Sequence, residues 1–233
     1  MSELHVVCVK WGNKYISQYA NVLKSMVSRH LTKPFKFHCI TEDPKGLDPD
    51  INVIDLPNEA GIKTWWSKLY MFSPKLPIKG TILYFDLDII IFKNIDCLVD
   101  HEPGKFMIIR DFNRCRVKDW KICNSSVMRW DTGTSDFFWN EYAQDPHSIM
   151  GRMHGDQDWI TSRGKGHTNF FPDEWIRSYK WEMIGRKDTK IVKGVKKMFQ
   201  HPPTIFEENR VAVFHGEPKP FNCGDEFVVE HWK

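Results

Sequence analysis

Short apolar runs alternate along this chain with stretches whose apolar residues recur every three or four positions. Leu4 to Val9 reads as a buried strand, Phe35 to Ile40 as a second and Ile51 to Leu56 as a third. Between the first two, Tyr15, Tyr19, Val22, Leu23, Met26 and Val27 share one helical face, so a helix is predicted over Lys14 to His30 with Asn13 as its cap. Thr64 to Phe72 is a further helix, stopped by Ser73-Pro74, and its neighbours Trp65, Trp66, Leu69 and Phe72 predict that it is largely buried. Thr81 to Phe85 follows as a central strand. Further strands are predicted near Lys105 to Arg110 and Ile122 to Trp130, helices over Thr134 to Tyr142 and around Asp156 to Thr161, and a late strand from Arg210 to Phe214 that ends at His215. This order predicts a doubly wound α/β domain whose ligands gather at the carboxyl ends of the strands.

The run from Gly80 to Phe92 breaks the apolar pattern at two positions only, Asp86 and Asp88. With Ile89 to Phe92 continuing the strand, period-two alternation sends both carboxylates to one face and Leu87 to the other. Two ionised carboxylates in apolar surroundings require a compensating cation, because an unpaired buried charge costs several kcal/mol. Hard oxygen donors suit magnesium or manganese. The plainer reading is a solvated acidic pair at a strand end, which the flanking isoleucines and aromatics oppose.

Composition narrows the class. With 233 residues, 41% hydrophobic and 27% charged, the chain has the makeup of a globular protein organised as one domain, 1–233. The N-terminus shows no basic leader with an apolar core, and no apolar run approaches a membrane span, so a cytoplasmic chain is expected. The six cysteines are dispersed without a C-x-x-C pair, and Cys8 and Cys39 sit in apolar runs as small hydrophobes. Neither G-x-G-x-x-G nor G-x-x-x-x-G-K-[ST] occurs, so any bound phosphates are handled by other means, a carboxylate-held metal foremost. The net charge of +3 is uneven. Arg177 to Lys197 holds eight Lys/Arg against Glu182 and Asp188, leaving this segment at +6 and the rest at −3. No nucleic-acid motif accompanies it; a solvated face, an anionic acceptor or peripheral contact with a membrane surface are the alternatives.

Four motifs in one order, Y-F-D-L-D at 84–88, C-N-S-S-V-M at 123–128, G-D-Q-D-W-I at 155–160 and F-H-G-E-P-K-P-F at 214–221, resemble the GT-A glycosyltransferases, and among them the retaining family-eight group of glycogenin and bacterial galactosyltransferases. The resemblance implies a GT-A fold, a single Rossmann-like mixed sheet flanked by helices, with a nucleotide-binding half (1–100) and a donor-sugar and acceptor half (101–233). It implies Mn2+ or Mg2+ held by Asp86, Asp88 and His215. It implies a nucleotide-sugar donor, a UDP-hexose above all, and a glycan, lipid-linked, protein or small-molecule acceptor. Val9, Lys10, Trp11 and Tyr15, with Asp86 and Leu87, match the nucleotide region. Lys68, Asn124, Gly216 and Lys219 match donor-sugar and phosphate contacts, and Asp156 and Gln157 the catalytic positions. Residue chemistry agrees: Gly216 admits close backbone approach and Lys219 supplies a point charge for a diphosphate. Tyr15 is read either as a platform for a pyrimidine or as the first buried turn of its helix, and Asp158 as a helix cap.

The chain departs from the family where Ser125 and Ser126 follow the asparagine in place of a common glycine, and where the late motif is compressed between His215 and Lys219. The aromatic segment Phe170 to Trp181 is read as an acceptor wall or a satellite hydrophobic cluster. Two rival functions use the same residues: a haloacid-dehalogenase-like phosphatase built on F-D-L-D, and a non-catalytic nucleotide-sugar or glycan-binding module.

Overall fold

The computed structural model describes residues 2–59, 62–192 and 195–233. In chain order the elements are β1 (Leu4–Lys10), α1 (Ser17–His30), β2 (Lys36–Thr41), β3 (Asn52–Asp55), β4 (Thr81–Phe85), β5 (Ile89–Ile91), α2 (Asp96–Asp100), β6 (Phe106–Arg110) and β7 (Cys123–Asp131). The second half adds α3 (Phe137–Tyr142), α4 (Pro146–Arg152), α5 (Asp156–Arg163), β8 (Thr168–Phe170), β9 (Ile176–Ser178), β10 (Lys187–Val192), β11 (Val195–Gln200), β12 (Val211–Val213) and α6 (Glu226–His231).

The main sheet runs β3-β2-β1-β4-β7-β6-β8, and within it only β7 is antiparallel to its neighbours. This is the mixed α/β sheet that the strand and helix alternation predicts. Its residues are apolar on both faces, as a covered sheet requires. Val6, Cys8, Leu83 and Phe85 pack against α1 and the late elements, whereas Val7, Val9, Ile82 and Tyr84 pack against the helix at 64–72, α3 and α5. Cys8 and Cys39 face each other across β1 and β2 as buried free thiols.

Several expectations shift. The strand at 81–85 does not continue through the acidic pair: Asp86-Leu87-Asp88 is a bend, and Ile89–Ile91 joins a second sheet, β5-β12-β9. Its partner is β12, antiparallel, so the apolar run at 89–92 is explained by a different core face and not by extension of β4. The first helix begins at Ser17, with Ile16 and not Asn13 at its cap, because the chain turns through Gly12 at φ +55° before it can enter the helix. Tyr15 therefore precedes the helix. Thr64–Phe72 is helical but wound as a 3₁₀ helix, and Trp65 is 45% exposed where burial was expected. The helix predicted from Thr134 starts at Phe137, and the one predicted to Thr161 runs to Arg163. Phe171 and Tyr179 lie in the core, so most of the aromatic segment is not an acceptor wall.

Candidate active site

The carboxyl ends of β1, β4 and β6 and the amino end of antiparallel β7 lie along one edge of the main sheet, and the sequence-predicted residues assemble there. Asp86 is the first residue past β4. Its backbone N–H donates to the Ser126 carbonyl (2.9 Å), and Asp88 accepts at its own carbonyl from the Phe214 N–H (2.9 Å), so each aspartate is tied to a different sheet. Leu87 between them turns into the core; its side chain reaches no ligand, and only its backbone faces the bend.

Asp86 is engaged on the side of the 3₁₀ helix. Its Oδ1 accepts from the Tyr84 hydroxyl (2.6 Å) and lies 2.7 Å from the Lys68 ammonium. Lys68 Nζ also donates to Ser125 Oγ (3.1 Å) and stands 3.6 Å from Asp156 Oδ2, while Ser125 Oγ donates to that same Oδ2 (2.6 Å). The cluster is buried, and its titration follows. Burial alone would lower the Lys68 pKa, but the Asp156 and Asp86 carboxylates outweigh it and hold the ammonium above its ordinary range. Burial pushes Asp86 up, yet Lys68 and the hydrogen bonds from its neighbours bring it below the usual carboxylate range. Asp156 goes the other way: burial dominates, Lys68 and Ser125 oppose it, and its carboxyl is raised. One lysine thus separates two carboxyl groups whose proton affinities are driven apart.

The register explains how Ser125 arrives. Opposite β6, Ile108 pairs with Met128 and Ile109 with Asn124, so Ser125, Ser126 and Val127 form a bulge in β7 that re-aims the strand toward the site. Asn124 is buried, and its side-chain oxygen accepts from the Ser126 N–H (3.0 Å). Asp156 opens α5, and half-buried Gln157 beside it makes no side-chain hydrogen bond among the described residues. Asp158 Oδ2 accepts from the His154 N–H (3.2 Å), bracing the turn into the helix. Gly155, extended at that turn, leaves room for the Trp65 indole: a Cβ there would stand 3.0 Å from Nε1.

Asp88 is engaged from the other side. Tyr15 donates its hydroxyl to Asp88 Oδ2 (2.8 Å), and Lys219 Nζ binds the same oxygen and the Phe214 carbonyl (3.0 Å). The compressed late motif therefore delivers its lysine to the acidic pair. Burial and the Asp88 carboxylate raise the Tyr15 hydroxyl pKa and keep it a donor. Lys10 is buried with its ammonium on the Asp43 carbonyl (2.9 Å), Val9 is core, and Trp11 packs partly buried on the 64–72 side.

His215 follows β12. Its Nε2 lies 2.6 Å from Ser178 Oγ, its ring stacks on Phe112 (5.1 Å, 10°) and meets Trp181 edge-on (4.6 Å). Burial, with the Lys180 ammonium second, lowers its pKa to about 4, so the imidazole is neutral at pH 7. Gly216 adopts φ +74°, and a Cβ there would stand 2.7 Å from Lys180 Nζ. Behind this wall Glu182 accepts from the Ser178 N–H (2.8 Å) and pairs with Arg114 (3.2 Å) and Arg177 (3.3 Å).

Among the described residues no three His, Cys, Asp or Glu side chains stand close enough to share a metal ion. The donor types nevertheless fit a hard divalent cation: two carboxylates and a neutral imidazole. Each is at present satisfied from within the chain, Asp86 by Lys68, Asp88 by Lys219 and His215 by Ser178. A cavity of about 630 Å³ lies at the opposite edge of the sheet, lined by Leu4, Phe35, Thr81 and Arg129, and shares none of these residues.

Tyr84, Ser125, Ser178 and Glu182 are the participants that sequence reading missed. Tyr84 stands two residues before Asp86 on the same face, a signal present in the alternation. Ser125 falls at the departure from the family pattern, and nothing local marks the other two.

No family model and no curated protein matches the sequence. Solved structures do match. The galactosyltransferase LgtC, in complex with donor and acceptor sugar analogs, aligns over 97% of this chain and 94% of its own with a TM-score of 0.64 at 17% identity. The bifunctional glycosyltransferase WbbM aligns over 98% of this chain and 49% of its own (TM-score 0.62, 12% identity), and the glycosyltransferase GlyE of Streptococcus pneumoniae TIGR4 over 75% and 46% (TM-score 0.54, 14% identity). The chain has the GT-A glycosyltransferase fold.

Proposed function

We propose that this chain is a metal-dependent, retaining glycosyltransferase that moves a hexose from a nucleotide-sugar donor, a UDP-hexose, to an acceptor hydroxyl. The observation that carries the reading is the buried set of Asp86, Lys68, Asp156 and Ser125 beside Asp88 and Lys219, at the ligand-binding edge of a sheet with the glycosyltransferase fold. Sugar hydroxyls need directional acceptors and donors, and a departing diphosphate needs positive charge; this set holds both.

A divalent cation, Mn2+ or Mg2+, held by Asp86, Asp88 and His215, would supply positive charge to the leaving diphosphate. Lys219, now on Asp88, has the reach to transfer its ammonium to a phosphate oxygen once the carboxylate is otherwise paired. Asn124 and Asp156 offer acceptors to donor-sugar hydroxyls, with Lys68 and Ser125 fixing the Asp156 carboxyl. The unengaged Gln157 amide presents a carbonyl oxygen to a cationic anomeric centre. In front-face transfer the bond from the anomeric carbon to the phosphate oxygen breaks. A bond to the acceptor oxygen forms on the same face, and the acceptor proton passes to the leaving phosphate. The products are a glycoside and a nucleoside diphosphate.

The test is nucleoside diphosphate release from a panel of nucleotide sugars, with and without manganese, for the unmodified chain and Asp88→Asn. Release from one UDP-sugar that needs metal and disappears in the variant supports the reading and identifies the hexose. Metal-dependent nucleotide binding with no release from any donor or acceptor would favour a binding module, and absence of both binding and release would falsify the proposal.

A further inference from the structure

The basic segment 177–197 does not fold as one unit. Its first part builds the wall around His215: Arg177 pairs with Glu182, and Lys180 crosses Gly216 and approaches the Trp181 ring (5.7 Å). Its second part leaves the domain body as the antiparallel pair β10 and β11 and returns to β12. Lys193 and the Lys197 side chain lie outside the described residues.

Residues directly opposed across an antiparallel pair share a face. Lys187 opposes Gln200, Thr189 opposes Met198 and Ile191 opposes Lys196, so these six line one face, and all six are exposed. Ile191 is 73% and Met198 69% exposed on this face; Val195, paired with Val192, lies on the other. A two-stranded ribbon with an uncovered face is marginal in water, and two large apolar side chains on that face, Ile191 and Met198, call for a covering layer. Charge identifies that layer. Asp188, an acid within the ribbon, is consumed at its base by Arg186 (2.8 Å) and His201 (2.7 Å), whereas Lys187 and Lys196 pair with no carboxylate among the described residues.

We infer that this hairpin docks the protein on an anionic lipid bilayer. Ile191 and Met198 enter the boundary between headgroups and acyl chains, and Lys187 and Lys196 on the same face lay their aliphatic stems over that boundary with the ammoniums on lipid phosphates. Lysines are point charges without a directional fork, and flexible aliphatic side chains offer no shaped socket; both suit a fluid surface better than a folded partner. Strands of six residues extend only about 20 Å, so the ribbon rests on one leaflet and does not cross. The proposal does not depend on the transferase reading.

Sedimentation of the full chain with vesicles tests it. Vesicles of phosphatidylcholine with phosphatidylglycerol should carry the protein down, and phosphatidylcholine alone should not. Lys187→Gln with Lys196→Gln should weaken partitioning by about a factor of five per lysine removed and flatten its salt dependence. Ile191→Ser with Met198→Ser should weaken it roughly tenfold while leaving the salt dependence unchanged. Both double variants should unfold at the temperature of the unmodified chain, because every substituted side chain is exposed. The inference is overturned if anionic vesicles leave the protein in the supernatant, if both variants bind as the parent does, or if RNA captures the chain and vesicles do not.

Discussion

Replacing Lys68 by methionine keeps the length of the side chain and removes its charge. At an effective dielectric constant of about 20, an ammonium 2.7 Å from Asp86 and 3.6 Å from Asp156 gains roughly 6 and roughly 5 kcal/mol of gross attraction. Most of that offsets the desolvation of three buried charges. Removing the lysine forfeits the attraction but leaves both carboxyl groups buried, so Lys68→Met should cost about 3–5 kcal/mol at pH 7.5. For a chain of this size that is a fall of roughly 10 °C or more in the unfolding midpoint. The assay is urea and thermal unfolding in EDTA, so that no added metal substitutes for the ammonium. Acid supplies a second readout with a definite sign. In the parent, Asp86 is held below its ordinary range, and the stability it contributes is present above that range and lost as pH falls through the folded value. Without Lys68 both buried carboxyl groups have folded values above the ordinary range, so the variant gains stability as pH falls toward 5. The gap to the parent should then narrow by at least about 1 kcal/mol. A loss below about 1 kcal/mol at pH 7.5, or a gap that does not change with pH, refutes the account of the network.

Glu182 holds Arg114, Arg177 and the Ser178 N–H with a side chain that is 3% exposed, so Glu182→Gln should destabilise the chain by about 3 kcal/mol. A denaturation midpoint equal to the parent's would show that the arginines re-pair elsewhere. At the far end of the sheet, His5 Nδ1 lies 3.0 Å from His38 Nε2, and burial with the neighbouring His5 lowers His38 to about 4. An imidazole depressed when folded takes up its proton on unfolding, so stability should decline as pH falls from about 6.5 toward about 4. His38→Gln should blunt that decline in unfolding curves collected across the window, and an equally steep decline in the variant would place its origin elsewhere.

Much of this architecture was legible because it is local. Leu4 to Lys10, Lys36 to Thr41 and Thr81 to Phe85 declare themselves as strands by short runs rich in apolar residues, and the body of α1 by its apolar face. The acidic pair stood out for the same reason, and Asp86, Asp156, Lys68 and Asn124 do meet at one edge. What local pattern could not carry was partner choice. Ile89 to Ile91 looks like a continuation of β4 until the antiparallel partner Val211 to Val213 is known, and that partner lies far downstream. Ser125 enters the site through a register shift, which has no periodic signature, and Ser178 through pairing between two three-residue strands. The late motif is compressed in sequence, and in space its lysine closes on Asp88.

That short second sheet has a consequence for how the protein can vary. Val213 opposes Ile89 on one side and Ser178 on the other, and the next N–H along the chain, from Phe214, reaches the Asp88 carbonyl. One three-residue strand thus acts as a gauge block, setting Asp88, Ser178 and His215 against one another by backbone hydrogen bonds alone. The length of chain between those positions does not enter the measurement. The hairpin from 187 to 200 can lengthen, shorten or change its chemistry while the spacing inside the site stays constant, which leaves it open to diversification at little cost to the centre.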